Sequence, residues 1–127
     1  MNLEKVVFAF TIILALTLNF GFFVGEIDNP AHHHVFELYA AIFVNFVATI
    51  LKFGDRSHMG AVLLATSLVA DIQLVAAACV WAYSVHIAEI GMTPDVMASI
   101  VSLAGGALLA NVISVTLLTI ETVMLRR

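Results

Sequence analysis

The chain has 127 residues, 62% of them apolar and only 11% charged, with a formal net charge of −4. A soluble domain is nearer half apolar and a quarter charged, and a chain this short cannot hide so much apolar surface from water. The mean hydropathy of +1.08 therefore points to lipid as the solvent, the absence of any basic run argues against a nucleic-acid partner, and a lone cysteine, Cys79, excludes an intramolecular disulfide or a CxxC redox pair.

The first apolar run follows Lys5 and spans Val6–Val24. It is longer than a signal-peptide core and ends in Gly21-Phe22-Phe23-Val24-Gly25 rather than a small-residue cleavage site, so it is expected to be an uncleaved first span. It is rich in phenylalanine, with Thr11, Thr17 and Asn19 as its polar residues, and is expected to face mostly lipid. Asn29-Pro30 reads as an N-cap followed by proline at the first helical position, which opens a second span over 30–53. A third span covers 57–88. The fourth covers 94–124 and is opened by Thr93-Pro94-Asp95, where the acidic side chain complements the helix dipole. Gly25, Gly54 and Gly91 each follow a span, as C-cap glycines do.

Crossing roughly 30 Å of hydrocarbon takes about 20 helical residues, and each of the four runs is near that length or beyond it. No dyad alternation suggests a β-barrel. The short connections make consecutive helices antiparallel neighbours. The expected fold is all-α: an integral membrane four-helix antiparallel bundle in a single transmembrane domain, residues 1–127. All five basic residues (Lys5, Lys52, Arg56, Arg126, Arg127) fall on one side of it and none on the other. This asymmetry predicts N-in, C-in topology in the cell membrane, which is the inner membrane if the source is a diderm bacterium.

Ionisable groups inside spans are costly and mark functional sites by default. Asp71 lies near the middle of span three, with Gln73 two residues on and facing the other way. Asn45 and Asn111 lie near the centres of spans two and four, at about the same depth as Asp71. Thr49, Thr66 and Ser114 lie about a turn to the basic side. A carboxylate among amide and hydroxyl oxygens suits a hard cation or a proton; the plainer interpretation is interhelical hydrogen bonding.

A second cluster gathers at the opposite, acidic end. His33, His34 and Glu37 occupy the start of span two at helix-face spacings, and His86 and Glu89 close span three, three residues apart. Carboxylates at a mouth concentrate cations, and imidazoles suit transition metals; solvated polar residues where helices meet water are the ordinary alternative. Down span two, His34, Glu37, Ala41, Asn45, Ala48 and Lys52 form one small or polar face, expected to line a cavity or pack on a helix. On span four, Ala98, Ser102, Gly106, Ala110 and Ser114 recur every four residues, the pattern of close helix packing.

No phosphate-binding glycine loop, HExxH motif or nucleophile–base pair is present, so an enzyme is not expected. The leading expectation is a small cation or proton channel or transporter, with its path at a homo-oligomer interface and an inorganic cation as partner. Glu37, Asn45, Asp71, Gln73 and Asn111 would line that path. The alternatives are a non-conducting assembly or regulatory subunit of a membrane complex, and a redox bundle holding haem or a metal between His34 and His86. No resident cofactor is implied beyond a bound cation.

Overall fold

The computed structural model describes residues 3–26, 28–88, 91 and 93–125. Among these, four α-helices account for most of the chain: α1 (Leu3–Phe23), α2 (Val35–Lys52), α3 (His58–Ala82) and α4 (Pro94–Leu125). Each is long and apolar enough to cross a membrane, as expected for a multi-pass membrane protein. Successive helices pack as neighbours, and α4 closes the ring on α1. The result is an antiparallel four-helix bundle with a basic end, where the α2–α3 turn lies, and an acidic end.

The helix ends follow local chemistry, with two departures from expectation. Asn29 does cap a Pro30 start, its side chain accepting from Ala31 N–H at 3.0 Å, but the helix it opens is a single 3-10 turn, Pro30–His32. His33 and His34 then adopt extended backbone, and α2 begins only at Val35. Gly25 and Gly91 take positive φ (111° and 74°) as helix-terminating glycines do. Gly54 does not. There the turn is organised by Asp55, whose carboxylate accepts from the Ser57 N–H at 2.9 Å and the Ser57 hydroxyl at 2.7 Å. Ser57 in turn caps α3 by accepting from Gly60 N–H at 3.0 Å. Thr93 caps α4 through Val96 N–H at 3.2 Å. At the acidic end α3 widens into one π-helical turn, Tyr83–Ile87, closed by Ala88 N–H donating to the Tyr83 carbonyl at 2.8 Å.

About a third of each span is buried inside the bundle, which leaves the remainder for lipid. The exposed side chains include Phe10, Phe20, Phe36, Phe43, Ile50, Ile72, Leu109 and Ile113, an apolar surface that only a bilayer solvates well. The first span does not face lipid all round. Phe8, Ile12, Ala15, Asn19 and Phe22 recur at three- and four-residue steps and are all buried, because α1 packs on both α2 and α4. Its even hydrophobicity conceals this face, since an apolar residue is equally at home against lipid or protein.

The interior of α4 likewise departs from the every-fourth-residue stripe. A four-residue step advances about 400° around a helix, so such a stripe drifts sideways. Its far end, Ala110 and Ser114, is buried, but Ser102 is exposed and Ala98 only half-buried. The inward face instead runs Met97, Val101, Ala104, Ala107, Asn111, Ser114. Gly105 and Gly106 serve as contact points within an unbroken helix. A methyl at Gly105 would stand 2.9 Å from the Phe23 ring, and one at Gly106 would stand 2.2 Å from Oε1 of Gln73.

Two apolar clusters fill the bundle. One, toward the acidic end, includes Phe22, Leu38, Leu74, Met97, Ile100 and Val101. The other, toward the basic end, is Phe8, Ile12, Ala48 and Leu63. Between them lies a polar layer.

Candidate functional site

The polar layer is built from residues one helical turn apart on three helices. Asn45 and Thr49 lie on α2, Ser67 and Asp71 on α3, and Asn111 and Ser114 on α4. All six are buried. The sequence places them there by spacing alone: steps of three or four residues keep both members of each pair on the inward face.

Several bonds tie the layer together. The Thr49 hydroxyl donates to Oδ2 of Asp71 across α2–α3 at 2.5 Å and also lies 2.9 Å from the carbonyl of Asn45 on its own helix. The hydroxyls of Thr66 and Ser114 bond across α3–α4. The Asn45 amide donates back to the Ala41 carbonyl at 2.9 Å. These bonds leave five buried oxygens with no partner among the described residues: Asn45 Oδ1, Ser67 Oγ, Asp71 Oδ1, Gln73 Oε1 and Asn111 Oδ1. A buried polar atom without a partner costs about 1–3 kcal/mol, and native structures hold few of them. Four in the polar layer and a fifth on Gln73, two residues beyond Asp71, are therefore a distinctive feature of so small a bundle.

Asn45, Asp71 and Asn111 thus share the layer. Gln73, two residues from Asp71, is half-buried and points to Gly106, as the opposite-face geometry requires. Glu37 lies apart from them. It is half-buried near the acidic end, with its carboxylate against α1, where a methyl at Gly21 would stand 2.3 Å from Oε2. The small face of α2 is closed rather than open: Ala41, Asn45 and Ala48 are fully buried in helix contacts.

At the acidic end the described histidines do not share one environment. His33 is buried, and its ring nitrogens lie 2.5 Å from the Phe22 carbonyl and 2.7 Å from the Glu26 carbonyl. Both coordinating positions are thus taken up in tying the start of α2 to the end of α1. His34 and His86 are exposed, and Glu89 lies outside the described residues. Among the described residues no three of His, Cys, Asp or Glu group to hold a metal ion.

The sequence underrated two residues. Ser67 carried a signal, since it lies four residues before Asp71 on the same face. Asn19 is fully buried on α1. Oriented to satisfy both ends, its amide NH2 donates to the Ala104 carbonyl at 3.1 Å and its oxygen accepts from Leu108 N–H at 3.0 Å. A single side chain of α1 thereby binds the backbone of α4 at the turn containing Gly105 and Gly106. Its position in the Phe8, Ile12, Ala15, Phe22 series was the available signal.

Over residues 32–122, from the approach to α2 through most of α4, the chain matches the model of a family of unknown function, DUF6394. No curated protein and no solved structure matches it.

Proposed function

The chain belongs to DUF6394, a family of unknown function, and we propose that it binds a proton or a monovalent cation in the polar layer of its bundle and passes it across the membrane. The observation that carries this reading is the set of buried, unpartnered oxygens in the layer that holds Asp71: those of Asn45, Ser67, Asp71 and Asn111. Oxygen donors suit hard cations. The layer offers one carboxylate, which matches a single positive charge; a divalent ion would call for more acidic ligands.

The Thr49 hydroxyl adds a means of moving a proton. It has one hydrogen and two oxygens within reach, Asp71 Oδ2 and the Asn45 carbonyl. When Asp71 is ionised the hydroxyl serves the carboxylate; when Asp71 is protonated the carboxyl donates and the hydroxyl turns to its own helix. The two arrangements differ by one proton and little motion. In this reading the site lies within one chain, and a homo-oligomer would group several sites rather than create one at its interface.

A second reading is supported by the cross-helix bonds Thr49–Asp71 and Thr66–Ser114. They would serve as interhelical ties in a non-conducting subunit of a membrane complex. Flux assays separate the two. Liposomes holding the purified chain should pass protons, sodium or potassium, and Asp71→Asn should reduce that flux at least tenfold, with a smaller effect from Glu37→Gln. A parent protein that passes none of these ions, or an Asp71→Asn variant with parental flux, defeats the transport reading. A loss of thermal stability without flux in either protein favours the tie.

A further inference from the structure

A cavity of about 700 Å³ opens at the basic end of the bundle, between the start of α1 and the α2–α3 turn. Its character differs from that of the polar layer. Three of the five basic residues, Lys5, Lys52 and Arg56, line it, together with the acids Glu4 and Asp55. Ile50 and Leu51, both exposed, supply an apolar wall.

The acids offset part of this charge, leaving three bases against two carboxylates in the lining. Asp55 is already occupied by the Ser57 N–H, the Ser57 hydroxyl and Lys52, the last at 3.3 Å. Glu4 is not free either. Lys52 is held in place, its ammonium 4.2 Å over the ring of buried Phe8, where the ring quadrupole attracts it. Lys5 and Arg56 are exposed, and among the described residues no carboxylate pairs with them. Beside the Lys52 ammonium, which is shared with Asp55, the cavity therefore presents the exposed Lys5 ammonium and the Arg56 guanidinium fork. A guanidinium fork matches phosphate oxygens in bidentate geometry, and basic pockets between membrane helices suit phospholipid headgroups.

We propose that this cavity binds a phosphate-bearing anion, either the headgroup of an acidic phospholipid or a soluble phosphate compound. The phosphate sits between Lys5, Lys52 and Arg56. In the phospholipid case, the wall of Ile50 and Leu51 leads the acyl chains into the bilayer.

The test uses the full chain purified in a neutral detergent. Native mass spectrometry measures retention of phosphatidylglycerol against phosphatidylcholine, and calorimetry measures binding of inorganic phosphate. Preferential retention of phosphatidylglycerol identifies the lipid source, and inorganic phosphate binding of comparable strength identifies the soluble one. With neither, the proposal is overturned. Lys5→Gln with Arg56→Gln should weaken binding about 30-fold, the effect of two basic contacts, whereas Lys5→Arg with Arg56→Lys should retain it. Gly54 lines the cavity and has open space around it, so Gly54→Trp fills the cavity without changing charge and should also abolish binding. Unchanged affinity in Gly54→Trp means diffuse attraction to a basic surface, and also overturns the proposal.

Discussion

The hydroxyl of Thr49 stands 2.5 Å from Oδ2 of Asp71, joining α2 to α3 at the level that separates the two apolar clusters of the bundle. The contact satisfies one oxygen of the carboxyl and leaves the other, Oδ1, buried without a partner. Thr49→Val keeps the shape of the side chain and removes the bond. It should lower stability by about 1–3 kcal/mol, the cost of stranding a buried acceptor, whereas Thr49→Ser should stay close to the parent. Thermal unfolding in detergent measures both. An unchanged Thr49→Val midpoint would show that Asp71 does not depend on this hydroxyl.

Asn19 ties α1 to the α4 backbone through Ala104 and Leu108. Interhelical polar contacts in membranes average about 0.6 kcal/mol and reach about 1.7 kcal/mol. Because Asn19 is fully buried, Asn19→Ala also leaves a cavity, which places its cost toward or above the top of that range. Asn19→Asp keeps the volume but loses the amide donor, and should destabilise as well. Equal stability of all three proteins in a denaturation series would remove the bridge from any account of how α1 docks.

How much of this was legible beforehand depends on which physical signal each feature leaves. The four spans follow from hydropathy and length, and the cap at Thr93 follows from residue type and position. The polar layer was visible because Asn45, Asp71 and Asn111 contradict their surroundings. The buried face of α1 was hidden because Phe8 and Phe22 are as apolar as the exposed Phe10 and Phe20; in lipid, hydrophobicity does not separate inside from outside. The late start of α2 was hidden because Asn29-Pro30 is a genuine cap whose helix ends after one turn. His33 explains the interruption: its ring bonds the Phe22 and Glu26 carbonyls, which draws this stretch of backbone against the end of α1.

Gly106 and Gln73 provide a test of helix approach. A methyl at Gly106 would meet the Gln73 amide at 2.2–2.8 Å, too close for any real contact, so Gly106→Ala must displace that side chain or separate α3 from α4. The neighbour is the far end of a flexible side chain, so a cost of at most about 1 kcal/mol is expected, the low end for overpacking. Gln73→Ala removes the obstruction, and in that background Gly106→Ala should cost little. Contacting residues give such non-additivity, whereas additive costs would mean the two side chains do not compete for one space.

The α2–α3 turn carries a pH signature. Hydrogen bonds from the Ser57 hydroxyl and backbone N–H, with a smaller contribution from Lys52, hold the Asp55 carboxyl below its ordinary value of 3.8. A carboxylate whose folded pKa is depressed stabilises the fold above its unfolded pKa and loses that contribution as pH falls through the folded value. Asp55 also lies over the start of α3, against Gly60, where a negative charge suits the helix dipole. Asp55→Asn should therefore melt below the parent at neutral pH, and the gap should narrow on acidification below about pH 4 as the parental carboxylate takes up its proton. The effect is small because Asp55 is only half-buried and water screens its charge, so it is read as a difference between paired melting curves from pH 7 to pH 3. A gap that stays constant across that range would show that the Asp55 charge adds nothing to the turn.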